Sequence, residues 1–398
     1  MIRRTLTAAL LGTALLVGTA APALAEAPHG WELQVMKVRQ AQTLAQGRGI
    51  TVAVLDTGVM ANHPAFRGRV TSGPDFVGGG ARPGQPYWGE HGTAMASSVL
   101  NVAPQARVLS VRVIWDHEDP ARKRAERLAK KGRKAAEEES RKWAGAVAKG
   151  IRYAVDHDAK VISMSLGTDE WSWVGYEEDT AAAVDYASSK GVVVVASSGN
   201  GGSTDAMDLD ANNRVSYPAA FPSVIGVAAA GPNGARAEFS QVHTYTTIAA
   251  PGVDIYAARN TGGYRSGSGT SPAAALASGT VALMLSRNPR LTVAQIREIL
   301  TRTAMKPPAG YTLYLGHGIV DAAAAVQAAG SPPPATKTAA YTGKKYLGGG
   351  PVGSPVDHPP IDSDYLIIGG AGLGIGLLCL VGAFFLFRRP RPKRAARH

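Results

Sequence analysis

The stretch "ITVAVLDTGV", Ile50 to Val59, sets the reading of the whole chain. Residues 50–55 are a nearly unbroken apolar run, short enough for a strand and apolar enough for one covered on both faces. Asp56 stands at its C-terminal end. A buried carboxylate needs partners, and open α/β sheets keep their sites at the C-terminal ends of strands. Taken alone, Asp56 also reads as a turn aspartate before Thr57 and Gly58.

The pattern repeats outward from this strand. Further strands are expected at "RVLSVRVI" (107–114), "KVISMSL" (160–166), "VVVVASS" (192–198) and "SVIGVAAA" (223–230). Helices are expected at 143–158, at 180–191 with Gly191 past its end, after Thr270, at 291–304 and at 319–329. Strands alternating with helices predict an α/β fold, a mostly parallel sheet between helices. Ahead of the first strand, Trp31, Val35, Val38 and Leu44 make a rough helical stripe.

Both ends look like targeting segments. Arg3 and Arg4, an apolar run and Ala23-Leu24-Ala25 read as a signal peptide over 1–25. Residues 365–387 are 23 residues without a charge, enough at about 1.5 Å per residue to cross roughly 30 Å of hydrocarbon. The basic 388–398 that follow fit a cytoplasmic tail. The expected organisation is an extension over 26–48, a catalytic-sized domain over 49–330, a Pro/Gly-rich linker over 331–364, one transmembrane helix and the tail. As a coil the linker reaches about 30 Å.

The net charge of +12 is set by position. Eight Lys/Arg lie at the two termini, and His117–Lys142 holds ten Lys/Arg against six Asp/Glu. The remainder is close to neutral, so the basic balance speaks of topology and not of nucleic-acid binding. The segment 117–142 reads as an exposed, charged insertion, either solvated or a docking surface. The only cysteine, Cys379, lies in the apolar span. That excludes a cysteine nucleophile, a thiolate metal site and disulfides in the exported part. No cofactor is expected. The loop "STDAMDLDANN" (203–213) offers oxygen ligands for Ca²⁺, but it reads first as solvated.

Nucleophilic catalysis by a hydroxyl needs a base, a group orienting that base, and donors for an oxyanion. Ser271, in "GSGTSPAAALASG" (267–279), is the candidate nucleophile. His91, in "GEHGTAMASSVL", stands where a small-residue helix begins; alone it also reads as a structural histidine. Asn200 ends "VVVVASSGN"; alone it is also ordinary turn chemistry. A lipase or esterase is disfavoured, since no G-x-S-x-G surrounds a nucleophile.

The order Asp, His, Asn, Ser joins these signals. With "AVLDTGV", "HGTAMAS", "ISMSLG", "SSGN" and "GTSPAAALASG", the chain resembles the subtilisin-like serine proteases from about Gly49 to Ala329. The resemblance implies the subtilisin-like three-layer fold. It also implies Asp56 as the orienting aspartate, His91 as general base, Ser271 as nucleophile and Asn200 in the oxyanion hole. Ser165, Leu166 and Gly167 match the strand edge that pairs with substrate; Ser197, Ser198 and Gly199 match the opposite wall. The short extension, the linker and the anchor resemble the membrane-anchored mycosins. These imply a polypeptide substrate, a type VII secretion complex as partner and no classical inhibitory prodomain. A structural component of such a complex, with proteolysis secondary, is the alternative. One departure is Pro272 after the serine. With Ser271 as N-cap, Pro272 takes the first helical position harmlessly; with Ser271 already helical, the proline disfavours its α geometry.

Overall fold

The computed structural model describes residues 30–131, 145–167, 177–205, 212–335 and 363–387. Seven strands form one parallel sheet: β1 (Thr51–Asp56), β2 (Val70–Asp75), β3 (Arg107–Arg112), β4 (Val161–Met164), β5 (Val193–Ser197), β6 (Ile225–Ala230) and β7 (Thr246–Pro251). Their order is β2-β3-β1-β4-β5-β6-β7. The chain therefore leaves β1 for one side of the sheet and returns to its other side at β4, which opens a crevice at the C-terminal ends of those two strands. A hairpin of β8 (Ile255–Ala258) and β9 (Tyr264–Gly267) stands apart from the sheet.

Alternation along the strands builds three layers. Val52 and Val54 pack into one core with α2 (Val38–Leu44), α3 (Glu90–Val102), α7 (Thr270–Arg287), α8 (Val293–Thr303) and α9 (Ala322–Ala329). Ala53 and Leu55 point to the opposite core, closed by α5 (Ala146–Asp156) and α6 (Glu178–Ser189). Helix α7 runs through the interior, with Pro272 through Leu285 all buried. Its alanines and Gly279 let α3 approach closely: a Cβ on Gly279 would lie 2.7 Å from Val102 Cβ.

Most expected elements are present within a few residues of their predicted ends. The N-terminal stripe differs. Lys37 takes a left-handed φ of 54° and splits it into α1 (Trp31–Val35) and α2. Val38 is buried as expected, Leu33 and Met36 are buried beside it, and Leu44 is 40% exposed. In the charged segment, α4 (Pro120–Ala129) is helical as expected. Its root, however, is not solvated: Asp116 and Asp119 are both buried. Residues 132–142 of that segment lie outside the described residues, as do the predicted signal peptide, nearly all of the linker, the basic tail and the middle of the loop 203–213. Helix α10 (Ser363–Phe387) contains the predicted span, and Ile367–Phe385 is long and apolar enough to cross a membrane, at mean hydropathy 2.2.

Candidate active site

Strand register sets the site out in one row. Asp56 pairs with Arg112 of β3 on one side. On the other, Val54 pairs with Ser163 and Ser163 with Val195. Two residues further along, this register brings Asp56, Ser165 and Ser197 level at the C-terminal edge of three neighbouring strands.

Asp56 is fully buried. Its Oδ1 accepts the Thr57 N–H at 2.7 Å and lies 2.7 Å from His91 Nδ1. His91 is the second residue of α3, and this approach demands glycine next to it: a Cβ on Gly92 would collide with the Gly58 carbonyl. The N-cap residue of α3, Gly89, has no side chain to cap it. The orphan amides are taken up from outside. Asp116 Oδ2 accepts Glu90 N–H and its Oδ1 accepts His91 N–H, each at 3.0 Å; Thr57 Oγ1 accepts Gly92 N–H at 3.0 Å.

Burial pushes the His91 pKa down, but the Asp56 charge, its hydrogen bond and the Asp116 charge outweigh it, with Arg265 opposing; the net result lies above 6.5. Burial raises the Asp116 carboxyl pKa. Arg265, on β9, pairs with Glu90 at 2.7 Å.

Ser271 and Ser165 are bonded reciprocally. Ser271 Oγ donates to the Ser165 carbonyl at 3.2 Å, and Ser165 Oγ donates to the Ser271 carbonyl at 2.8 Å. Ser271 is the second residue of α7, whose N-cap is Gly269. Of the two alternatives left open by the sequence, Ser271 is therefore the one already helical, the case in which the following proline disfavours its α geometry. Pro272 is the third helical residue, and its missing N–H still falls among those without an intrahelical partner. The proline costs the helix no hydrogen bond.

Asn200 is oriented by Thr270. Asn200 Oδ1 accepts the Thr270 N–H at 2.8 Å and its hydroxyl at 2.9 Å, while Thr270 Oγ1 accepts Gly199 N–H at 3.2 Å. Those bonds leave the Asn200 amide nitrogen on the Ser271 side: a Cβ built on Gly269 would lie 3.6 Å from both Asn200 Nδ2 and the Ser271 nitrogen.

The two predicted walls face one another. Ser197 Oγ donates to the Leu166 carbonyl at 3.3 Å. Gly167 admits no side chain because Ser216 Oγ lies under it, and Gly199, at φ 109°, rests on the Gln241 side chain. Ser198 is fully buried. Sequence reasoning missed Asp116, Thr270, Ser216, Gln241 and Arg265. Only Thr270, sitting inside the serine motif, carried a local signal.

Residues 47–333 match the subtilase family, peptidase S8. The chain is 36% identical over 303 residues to thermitase of Thermoactinomyces vulgaris, covering 74% of this chain and 94% of thermitase. Among solved structures it is similar to MycP1 from Mycobacterium smegmatis, with TM-score 0.59, 28% identity and coverage of 77% of this chain and 87% of that one. It is equally similar to the MycP3 protease of the ESX-3 type VII secretion system, with TM-score 0.59, 28% identity and coverage of 75% and 88%. The chain belongs to the subtilase family and is a subtilisin-like serine endopeptidase; its neighbours among solved structures include mycosins of type VII secretion systems.

Proposed function

We propose that this is a membrane-anchored, extracytoplasmic serine endopeptidase of a type VII secretion system, with Asp56, His91 and Ser271 as its triad and Asn200 in its oxyanion hole. The observation that carries this reading is the Asp56–His91 bond of 2.7 Å, set one strand away from the reciprocal Ser165–Ser271 pair.

An extended polypeptide pairs with the edge at Ser165, Leu166 and Gly167 and lies against the wall at Ser197 and Gly199, with Ser198 buried behind it, as in β-augmentation. Ser271 Oγ turns from the Ser165 carbonyl, a bond of only 3.2 Å, toward His91 Nε2. His91 takes the hydroxyl proton as Oγ attacks the scissile carbonyl. Asp56 holds Nδ1–H and stabilises the imidazolium. The Asn200 amide and the Ser271 N–H receive the oxyanion. The C–N bond then breaks, with the His91 proton passing to the leaving amine. Water, activated by the same imidazole, hydrolyses the acyl-enzyme.

Helix α10 supplies the anchor, with 388–398 on the cytoplasmic side. The mycosin likeness supports the secretion role. Labelling of the full chain with a fluorophosphonate tests the catalytic assignment: Ser271 is modified, and Ser271→Ala is not. An unlabelled Ser271 in folded protein would leave the structural role in a secretion complex standing. Protease protection of the tail in sealed vesicles tests the topology.

A further inference from the structure

Helix α4 is fixed to the body at high cost. Its N-cap, Asp119, accepts Ala121 N–H at 2.8 Å and the Arg112 Nη2–H at 2.7 Å, and both side chains of that ion pair are almost fully buried. Arg112 also donates to Asp75, to the Gly78 carbonyl and to the Thr57 carbonyl. Ala121 packs on Gly79. A buried ion pair is an expensive way to hold a helix, and one of 10 residues is marginal alone. What this root holds in place is the outward face.

That face is a single basic stripe. Lys123, Arg124, Arg127, Lys130 and Lys131 are all exposed, at spacings of three and four that put them side by side. Lys123 pairs with Glu118, whereas Arg127, Lys130 and Lys131 have no acidic partner among the described residues. Like charges at this spacing destabilise a helix, so the stripe works against the element that bears it.

We propose that this stripe is a docking surface for anionic phospholipid headgroups. Protein–protein interfaces are anchored by aromatic or apolar side chains and are poor in lysine. No large hydrophobic side chain of α4 is exposed, and Ala121, Ala125 and Leu128 lie on the inner side. What remains is charge without shape, which suits a lipid surface. The inference rests on the membrane anchor proposed above, which keeps such a surface always near. The geometry agrees. The stripe is rooted at the β2–β3 end of the sheet, and the chain leaves the body at the other end, where Pro333 accepts a bond from Gln295 of α8, which packs on β7. Five to six strand spacings of about 4.8 Å separate the two, so the stripe and the point where the chain leaves the body lie at opposite ends of the sheet. Anchor and stripe together give two points of attachment.

The test uses the full chain in nanodiscs of phosphatidylcholine, with or without phosphatidylglycerol, and amine acetylation read lysine by lysine. Lys130 and Lys131 are expected to react several-fold more slowly in the anionic discs, with high salt abolishing the difference, while Lys190 and Lys306 are unchanged. The variant Arg127→Glu/Lys131→Glu should still insert and cleave peptide, yet lose the protection at Lys130. Equal labelling in both lipids by an inserted chain overturns the proposal and leaves the anchor standing; so does protection that survives the double variant. Equal labelling in both discs, slowed only by added polyglutamate, overturns it in favour of an acidic polypeptide. A chain that never enters the discs fails the anchor itself, and the inference with it.

Discussion

Asp116 accepts the backbone N–H of His91 through one carboxylate oxygen and that of Glu90 through the other, each at 3.0 Å. A carboxylate from the root of the charged segment thus caps the helix that carries the imidazole. Helix N-termini favour such a charge, and here the same charge supports the imidazolium. In Asp116→Asn, one acceptor and one donor face two N–H groups. A loss of about 2 kcal/mol of stability is expected, together with a lower kcat. The negative charge is also gone, so the His91 pKa falls and the acid limb of kcat/KM against pH moves to lower pH. A purely structural change would lower activity without moving that limb.

Arg265 predicts the opposite sign. Its positive charge opposes protonation of His91, so Arg265→Gln raises the imidazole pKa and moves the acid limb to higher pH. The Arg265–Glu90 pair is partly solvated, with side chains 47% and 25% exposed. Its loss should cost no more than about 1 kcal/mol in a denaturation curve. Paired pH profiles of the two variants check both signs.

Thr270 holds the amide proposed as the oxyanion donor. Thr270→Val keeps the volume but removes both hydroxyl bonds, to Asn200 Oδ1 and from Gly199 N–H. The Asn200 amide then keeps only the bond from the residue-270 backbone N–H, and its aim loosens. A fall of about tenfold in kcat is expected, roughly 1.4 kcal/mol in the barrier, with KM nearly unchanged and Thr270→Ser largely active. Asn200→Ala should cost more, about 10²–10³-fold, the magnitude known for subtilisin's own oxyanion asparagine.

His243 makes stability depend on pH. Burial lowers its pKa to about 4, although a hydrogen bond with the Arg214 carbonyl opposes the shift. In the unfolded chain the imidazole titrates near 6.5. Between these values the unfolded state binds more protons, so stability falls as pH drops through that window. His91, whose pKa is raised, has the opposite sign and loses its contribution as pH climbs past 6.5. Thermal melts across this range should steepen toward acid, and His243→Phe, which keeps an aromatic ring beside Tyr245, should flatten that slope.

The sheet and the motif residues were legible because their signals are local. The apolar run before Asp56, the glycine after His91 and the small residues after Ser271 are each a pattern within a few consecutive residues, even though what they answer to is distant: the Gly58 carbonyl for Gly92 and Val102 of α3 for Gly279. The weak points are equally physical. β2 reads "VTSGPD", with glycine, proline and a partly exposed pattern, so periodicity passes over it. Asp119 was read as part of a solvated charge run, and Asp116 just ahead of that run was passed over, because what buries them is a helix start distant in sequence or a buried arginine on another element. Pro272 was expected at the first helical turn and lies there, but two residues later than an N-cap serine would have put it, since Gly269 begins the helix.

The row across β1, β4 and β5 also governs when the enzyme comes alive. Asp56 and His91 are 35 residues apart, while Ser271 meets Ser165 across 106 and Thr270 meets Asn200 across 70. A chain emerging N-terminus first presents the aspartate, the base and both walls long before the serine exists. Helix α7 must then pack between the sheet and α3, contacts of long range that favour slow folding. A truncated or half-made chain therefore carries an empty cleft without the proposed nucleophile. With the proposed triad, proteolytic power arrives only with the completed core, and incomplete translation products would be harmless to their neighbours.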